Sequence, residues 1–308
     1  MKFVKMQGAG NDFVLLEAEG DERHWPHLAL RMCDRHFGIG ADGLVLVLPS
    51  EQADVGMRII NADGSEAEMC GNAIRCLAKY AVERGLVQPK DGELSVETPA
   101  GVLPVQVMGE GDRVERARVG MGAPRFRPDE IPTLIAAEPP LVNVPVEIDL
   151  GSALSEATPS MERVLEIARG PASAERSDRV IIPLTCLSMG NPHAVYFPPG
   201  PLADYPLAEL GPRVERHPLF PNRTNFAIAR VIDRSRMEAR VWERGVGITL
   251  ACGSGTCAAM VAARLQGLVD DIVAITLPGG TLRAEWDGAG QVYLSGPAAT
   301  VFEGEWPD

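Results

Sequence analysis

The chain has 308 residues, with 29 Lys and Arg against 42 Asp and Glu and a formal charge of −13. That length suits about two domains at roughly 150 residues each, and the negative field disfavours nucleic acid and anionic membrane surfaces as partners. No stretch approaches the ~18 apolar residues of a membrane span, and MKFVKMQGAGNDF holds no uninterrupted apolar run before Gly8, so the expected location is the cytosol, with the six cysteines reduced rather than paired.

In chain order the elements fall into two copies of one pattern, about 180 residues apart. Gly10-Asn11 opens a strand through Asp12-Phe13-Val14, as Gly190-Asn191 opens one through Pro192-His193-Ala194-Val195. The strand Asp42 to Val47 has its counterpart at Thr224 to Ala229. Cys70-Gly71 matches Cys252-Gly253 at an offset of 182. Each cysteine precedes a predicted helix, Ala73 to Arg84 and Ser254 to Gln266, closed by Gly85 and Gly267 in the position that favours glycine. After the helices, Thr98-Pro99-Ala100-Gly101 and Leu277-Pro278-Gly279-Gly280 are turns between strands. Helix one carries an apolar stripe of Ile74, Leu77, Ala78, Ala81 and Val82. Helix two is apolar all round from Cys257 to Ala263 and must be wrapped on most sides.

The expected fold is therefore α/β of the α+β kind: two pseudo-symmetric domains, each a curved, mostly antiparallel sheet around a central helix. The first spans 1–122 with a returning C-terminal strand at 296–308, the second 123–295. The stretch at about 126–177 has no partner in the first half. It reads as linker plus surface elaboration, with one short helix near Met161 to Arg169.

Cys70 and Cys252 stand at helix mouths, where unpaired N–H groups and the helix dipole favour thiolate over thiol. A lone cysteine there is ordinarily packing; two in register are harder to explain that way. A pair of thiols suits inversion at a carbon, one face losing a proton to thiolate while the other gains one from thiol. The amides of Gly71, Asn72, Gly253 and Ser254 can hold a carboxylate and stabilise the carbanion-like transition state, with no cofactor required. Cys33, Cys76, Cys186 and Cys257 read as core. No metal is expected, because Cys70-x5-Cys76 and Cys252-x4-Cys257 are not zinc spacings.

Together the segments Gly8 to Phe13, Phe37 to Gly43, Asn61 to Ser65 running to Met69-Cys70-Gly71-Asn72, Gly190 to His193, and Glu243-Arg244-Gly245 running to Ala251-Cys252-Gly253-Ser254-Gly255 resemble the diaminopimelate epimerases. The resemblance implies a cofactor-independent isomerase that interconverts LL- and meso-diaminopimelate in lysine and peptidoglycan precursor synthesis. It implies two similar domains with the site in the cleft between them. It also implies Cys70 and Cys252 as the two bases, His193 and Glu243 as groups assisting their ionisation, and Asn11, Asn61, Asn191, Asn225, Glu243 and Arg244 as binders of the distal end of the substrate. Gln7, Ala73, Ile248 and Gly43 depart from the family's common pattern, which has histidine, glycine, glutamate and, in some members, glutamine there. The small-molecule substrate is the expected partner, and a homodimer is compatible with the sequence. The rival within the mechanism is a proline or hydroxyproline racemase, where the first cysteine is usually followed by Gly-His rather than Gly71-Asn72. A thiol hydrolase using one cysteine and His193 leaves the second cysteine unexplained, and a non-catalytic amino-acid binding module has no use for either.

Overall fold

A computed structural model describes residues 1–18, 23–111, 113–150 and 179–307. By contacts the chain divides into unit 1, comprising Met1–Met121, Gly279–Leu282 and Tyr293–Asp308, and unit 2, comprising Gly122–Pro278 and Arg283–Val292.

In unit 1, β1 (Lys2–Gly8) pairs antiparallel with β2 (Asn11–Glu17), and β2 runs parallel to β3 (Gly43–Leu48). β3 pairs antiparallel with β4 (Val55–Asn61), which takes β5 (Glu66–Ala67) antiparallel and β6 (Glu93–Thr98) parallel. β7 (Gly101–Glu110) and β8 (Arg113–Gly120) continue as antiparallel neighbours. Unit 2 repeats the plan. β9 (Leu141–Asp149), β10 (Arg179–Ser188) and β11 (Pro192–Tyr196) are antiparallel neighbours, and β11 runs parallel to β12 (Asn225–Asp233). β12 pairs antiparallel with β13 (Arg236–Glu243), which takes β14 (Gly247–Thr249) antiparallel and β15 (Ile272–Leu277) parallel. β16 (Gly280–Glu285) leads on to β17 (Tyr293–Pro297) and β18 (Ala299–Glu305), which return to pair with β8 and β1.

A parallel pair needs a crossover connection. Helix α1 (Trp25–Met32) lies in the first crossover, and a later helix, α3 (Leu207–Glu215), in the second. Neither was expected from the sequence. At eight and nine residues they are too short for a strong period, and α3 carries Gly211-Pro212, a pair that reads as a turn. Here Gly211 is required for packing: a Cβ on it would lie 2.4–2.5 Å from the Trp242 ring. The apolar face of α1 packs with Val14, Leu16, Leu44 and Leu46, and Leu207, Leu210 and Val214 of α3 pack with Phe226 and Ile228.

The long helices are α2 (Gly71–Glu83) and α4 (Gly253–Leu265). α2 touches β1, β2, β3, β4, β6, β7, β8 and β17, and α4 touches β10, β11, β12, β13 and β15, so each is wrapped by strands of its own unit, although the strands are linked in one 18-stranded sheet rather than the two expected. α2 is more enclosed than a one-sided stripe implies, since Arg75 and Lys79 are buried with the apolar residues. Lys79 reaches Glu83 at 2.5 Å and the Val114 carbonyl at 2.6 Å, which satisfies its ammonium inside the sheet. Buried charge of this kind persists only when paired or hydrogen-bonded.

The stretch at 126–177 is more than linker and surface where it is described. Ile131, Ile135, Leu141, Val146 and Ile148 belong to the core of unit 2, and β9 is a full strand of its sheet. The helix expected near Met161 to Arg169 lies outside the described residues. No helix among the described residues is long and apolar enough to cross a membrane.

Candidate active site

Cys70 is the N-cap of α2 with extended backbone (φ −143°, ψ 113°), and its side chain makes no cap hydrogen bond. Its thiol points at Asn11 Oδ1 at 3.8 Å, which also accepts from Asn72 Nδ2 at 3.0 Å. Asn11 Nδ2 donates to Asp42 Oδ2 at 2.6 Å, and Asn72 Oδ1 accepts from Arg75 Nη2 at 2.8 Å. Arg75 also donates to the Gly71 and Pro297 carbonyls. Beside this chain Asp12 is paired with buried Lys5 at 2.6 Å and with Arg35 at 2.8 Å. Burial works against the Asp12 charge, yet hydrogen bonds from Arg35 and Lys5 hold its carboxyl at about 2.

Cys252 is the N-cap of α4 in the same extended conformation (φ −120°, ψ 116°), but here the sulfur accepts from Gly255 N at 3.3 Å and lies 3.6 Å from Ser254 Oγ. Ser254 Oγ accepts from Asn191 Nδ2 at 3.4 Å, and Asn191 Oδ1 is 2.9 Å from His193 Nε2. The thiolate expected at a helix mouth is not the resting form at Cys252. Burial, then the Glu243 charge, push this thiol well above its ordinary value, and the hydrogen bonds from Ser254 and Gly255 only partly offset them. At 5% exposure desolvation outweighs the helix dipole. Glu243 lies beside this thiol, its Oε1 accepting from Thr249 Oγ1 at 2.5 Å.

His193 is fully buried on β11, and burial, then the Arg244 charge, pull its imidazole down to about 3. It is neutral near pH 7. With Nε2 donating to Asn191, Nδ1 is a bare acceptor, without a hydrogen-bond partner among the described residues. Within unit 2 its hydrogen-bonded connection runs through Asn191 and Ser254 to Cys252.

The remaining expected residues are placed as follows. Asn61 ends β4 and donates to Ser65 Oγ at 2.9 Å across the turn that Asp63 and Gly64 form. Asn225, 4% exposed, directs its amide at the backbone: Oδ1 accepts from Arg244 N at 2.8 Å, and Nδ2 donates to the Pro192 carbonyl at 3.1 Å. In this structure it supports the turn that carries Arg244. That guanidinium is exposed and bonded to the Asn222 carbonyl at 3.0 Å. Gly71 and Gly253 are buried first residues of their helices, whose amides, like those of Asn72 and Ser254, have no intrahelical acceptor. Gln7, a departure from the common pattern, accepts from Gly10 N at 3.0 Å and closes the turn before Asn11. Cys33, Cys76 and Cys186 are buried, with burial pushing each thiol up to about 12, which suits core packing. Cys257 is buried too, and none of the six is in a disulfide.

The sequence reading missed Arg75, Asp42 and the Ser254 hydroxyl as parts of these networks. An arginine three positions after Asn72, in the otherwise apolar run from Ala73 to Ala78, was the available signal for the first. Glu215 was missed as well: it is buried on α3 and accepts from Trp242 Nε1 at 2.7 Å and Gly245 N at 3.0 Å, fixing the Glu243-Arg244-Gly245 turn.

Comparison with known proteins decides the family. The family model for diaminopimelate epimerase matches residues 3–127 and 185–301. The chain belongs to the diaminopimelate epimerase family. It is 45% identical to the diaminopimelate epimerase of Moorella thermoacetica, over 100% of this chain and 99% of that protein. It is 46% identical to that of Pelotomaculum thermopropionicum over the same shares. The segment at 128–184 lies outside the family match, yet these relatives align with the whole chain, so it is no lengthening relative to them. Solved structures at lower identity share the fold. A Bacillus anthracis phenazine biosynthesis protein of the PhzF family superposes with TM-score 0.67 at 18% identity, covering 100% of this chain and 99% of that one. A probable proline racemase from Agrobacterium radiobacter with bound carbonate gives TM-score 0.67 at 15% identity, over 99% and 92%. The enzyme is an isomerase of the epimerase type.

Proposed function

We propose that this enzyme interconverts LL- and meso-diaminopimelate, with Cys70 and Cys252 as the two proton-transfer groups. The observation that carries the reading is the pair of cysteines, each the N-cap of a 13-residue helix wrapped by strands of its own unit. One thiolate removes the α-proton from one face of the carbon, and the other group, as thiol, delivers a proton to the opposite face. In the direction that starts with Cys252, the Glu243 carboxylate takes the thiol proton as the sulfur becomes a base. His193, which holds Asn191 and through it the Ser254 hydroxyl beside the sulfur, is the second group that supports thiol ionisation. The negative charge that leaves the α-carbon flows onto the substrate carboxylate, where the amides of Gly71, Asn72, Gly253 and Ser254 are the donors proposed to meet it. Asn11, Asn61, Asn191, Asn225, Glu243 and Arg244 are proposed to hold the distal ammonium and carboxylate. Acid, base and amides together suit that zwitterion, as one charge sign alone does not. The reading needs no cofactor and places the enzyme in the cytosol, acting on a small molecule.

In deuterium oxide the enzyme should label the α-carbon of LL- and meso-diaminopimelate without added pyridoxal phosphate or metal. Labelling of proline with none of diaminopimelate would overturn the substrate assignment. Cys70→Ser and Cys252→Ser should each lower epimerisation by about 10²–10⁴-fold, the usual worth of a positioned acid or base. Wild-type turnover in either variant would overturn the two-thiol mechanism.

A further inference from the structure

We infer that Asp42 is a positioning residue for this reaction: it fixes the amide of Asn11 so that the carbonyl oxygen, and not the NH₂, faces the Cys70 sulfur. The inference rests on the reading of Cys70 as a proton-transfer group. An asparagine amide is close to symmetric in shape and opposite in polarity at its two ends, so its orientation is set by what it meets. Asn11 lies in a chain of two amides whose ends each meet a group of single polarity. At one end the Asp42 carboxylate, an acceptor only, is 2.6 Å from Asn11 Nδ2. At the other, the Arg75 guanidinium, a donor only, is 2.8 Å from Asn72 Oδ1. The two constraints agree. Asn72 Nδ2 must face Asn11 Oδ1, at 3.0 Å, and that oxygen is the one 3.8 Å from the thiol. An acceptor facing sulfur favours the protonated form, whereas the reversed amide would present a donor and favour thiolate. This orientation of the amide therefore favours the thiol at Cys70.

Asp42 is well held for this work. Its Oδ2 also accepts from Asp12 N at 3.1 Å, and its Oδ1 pairs with Arg35 at 2.7 Å. The charged groups around the chain are Asp42, Asp12, Arg35 and Lys5 beside β2 and Arg75 on α2. Asp42 is itself 42% exposed on its side chain, so replacing it opens no core cavity.

The test is the pH profile of Cys70 alkylation by iodoacetamide in substrate-free enzyme, followed at the Cys70 peptide by mass spectrometry. Asp42→Ala should move the midpoint down by about half a pH unit or more, because with the carboxylate gone only Asn72 Nδ2 still opposes the reversed amide. It should also lower kcat about tenfold through misorientation and raise KM, because Asn11 is among the residues proposed to hold the substrate. Asp42→Glu restores an acceptor-only group and should restore both readouts. Arg35→Gln leaves the Asp42 bond to Asn11 in place and should leave the midpoint unmoved. If Asp42→Ala does not fold, Asp42→Asn serves in its place, since an asparagine there no longer excludes the reversed amide. An unchanged midpoint in a folded Asp42 variant overturns the inference whatever happens to kcat, as does failure of Asp42→Glu to restore it. The alkylation readout needs no turnover, so it stands apart from the Cys70→Ser result that would overturn the two-thiol reading.

Discussion

The mouth of α2 in unit 1 and the mouth of α4 in unit 2 share one backbone plan: an extended cysteine as N-cap, a 13-residue helix, and a closing glycine at φ 70° or 69°. The side chains around the two sulfurs do not match. Cys70 is half-buried and points at an amide oxygen held by a carboxylate on one side and a guanidinium on the other. Cys252 is buried, capped by Gly255 N and set beside the Glu243 carboxylate. Duplicated topology brings equal positions, and unlike residues at matching positions, such as Asp42 against Thr224 and Ala73 against Gly255, set the surroundings of each sulfur. Both surroundings favour the thiol, and they differ in what stands beside it, a carboxylate at Cys252 and an amide oxygen at Cys70.

Among the groups around the two sulfurs, the largest expected effect comes from removing the carboxylate. Glu243→Gln takes away a charge that raises the Cys252 thiol. The midpoint for alkylation of Cys252 should fall, and epimerisation should nevertheless drop about 10²-fold because the acceptor of the thiol proton is lost. The Cys70 midpoint should not move. A variant in which both midpoints shift together would dissolve the distinction between the two mouths.

Gly255 is the next lever. A Cβ there would lie 3.2 Å from Cys252 Sγ and 3.1 Å from Val241 Cγ2, closer than most such contacts. Gly255→Ala should push the sulfur away from the amide that caps it. The expected results are a roughly tenfold fall in kcat and a stability loss of about 1–3 kcal/mol from overpacking, read by thermal melting. At the same offset of 182, α2 carries Ala73, and Cys70 makes no cap bond. Ala73→Gly should therefore bring the Cys70 environment toward that of Cys252, moving the Cys70 alkylation midpoint down by a few tenths of a pH unit. No movement would mean that the Asn11 carbonyl, and not the Ala73 methyl, keeps the sulfur uncapped.

Much of this plan was legible in the sequence. Comparing the chain with itself found both long helices, their cysteines and closing glycines, and the strands on either side, because long apolar runs and turn residues leave strong local marks. The crossover helices α1 and α3 were not legible, being short and, in α3, broken by Gly211-Pro212. Nor was β9, whose core residues Leu141, Val146 and Ile148 sit in a stretch without a repeat partner. The protonation of the site was misjudged at Cys252 for a physical reason. A helix dipole can be read from position along the chain, whereas desolvation depends on what the fold stacks against the sulfur. Asp42 lies in a segment that carries the family resemblance, but its effect on Asn11 depends on β2 and β3 running parallel, which no local pattern announces.

The smallest effect at neutral pH, and the one that separates the two units most cleanly, belongs to His193. In the parallel pairing of β11 with β12 it stands opposite Asn225, and the same register in β2 and β3 sets Phe13 opposite Gly43. Unit 1 thus has an apolar ring where unit 2 has an imidazole. Burial, then the Arg244 charge, bring His193 from an ordinary 6.5 down to about 3. The unfolded chain takes up this proton near 6.5 while the folded one refuses it until about 3, so the contribution to stability is complete above pH 6.5 and is lost as pH falls toward 3. His193→Phe, which installs the residue that unit 1 carries, should flatten the fall in melting temperature across that window. It should leave unaltered the separate loss between about pH 4 and 2, where Asp12, held down to about 2 by Arg35 and Lys5 against the cost of burial, gives up its charge. If the slope between pH 6.5 and 3 is the same in the variant, His193 is not the group that unit 2 shelters from protonation.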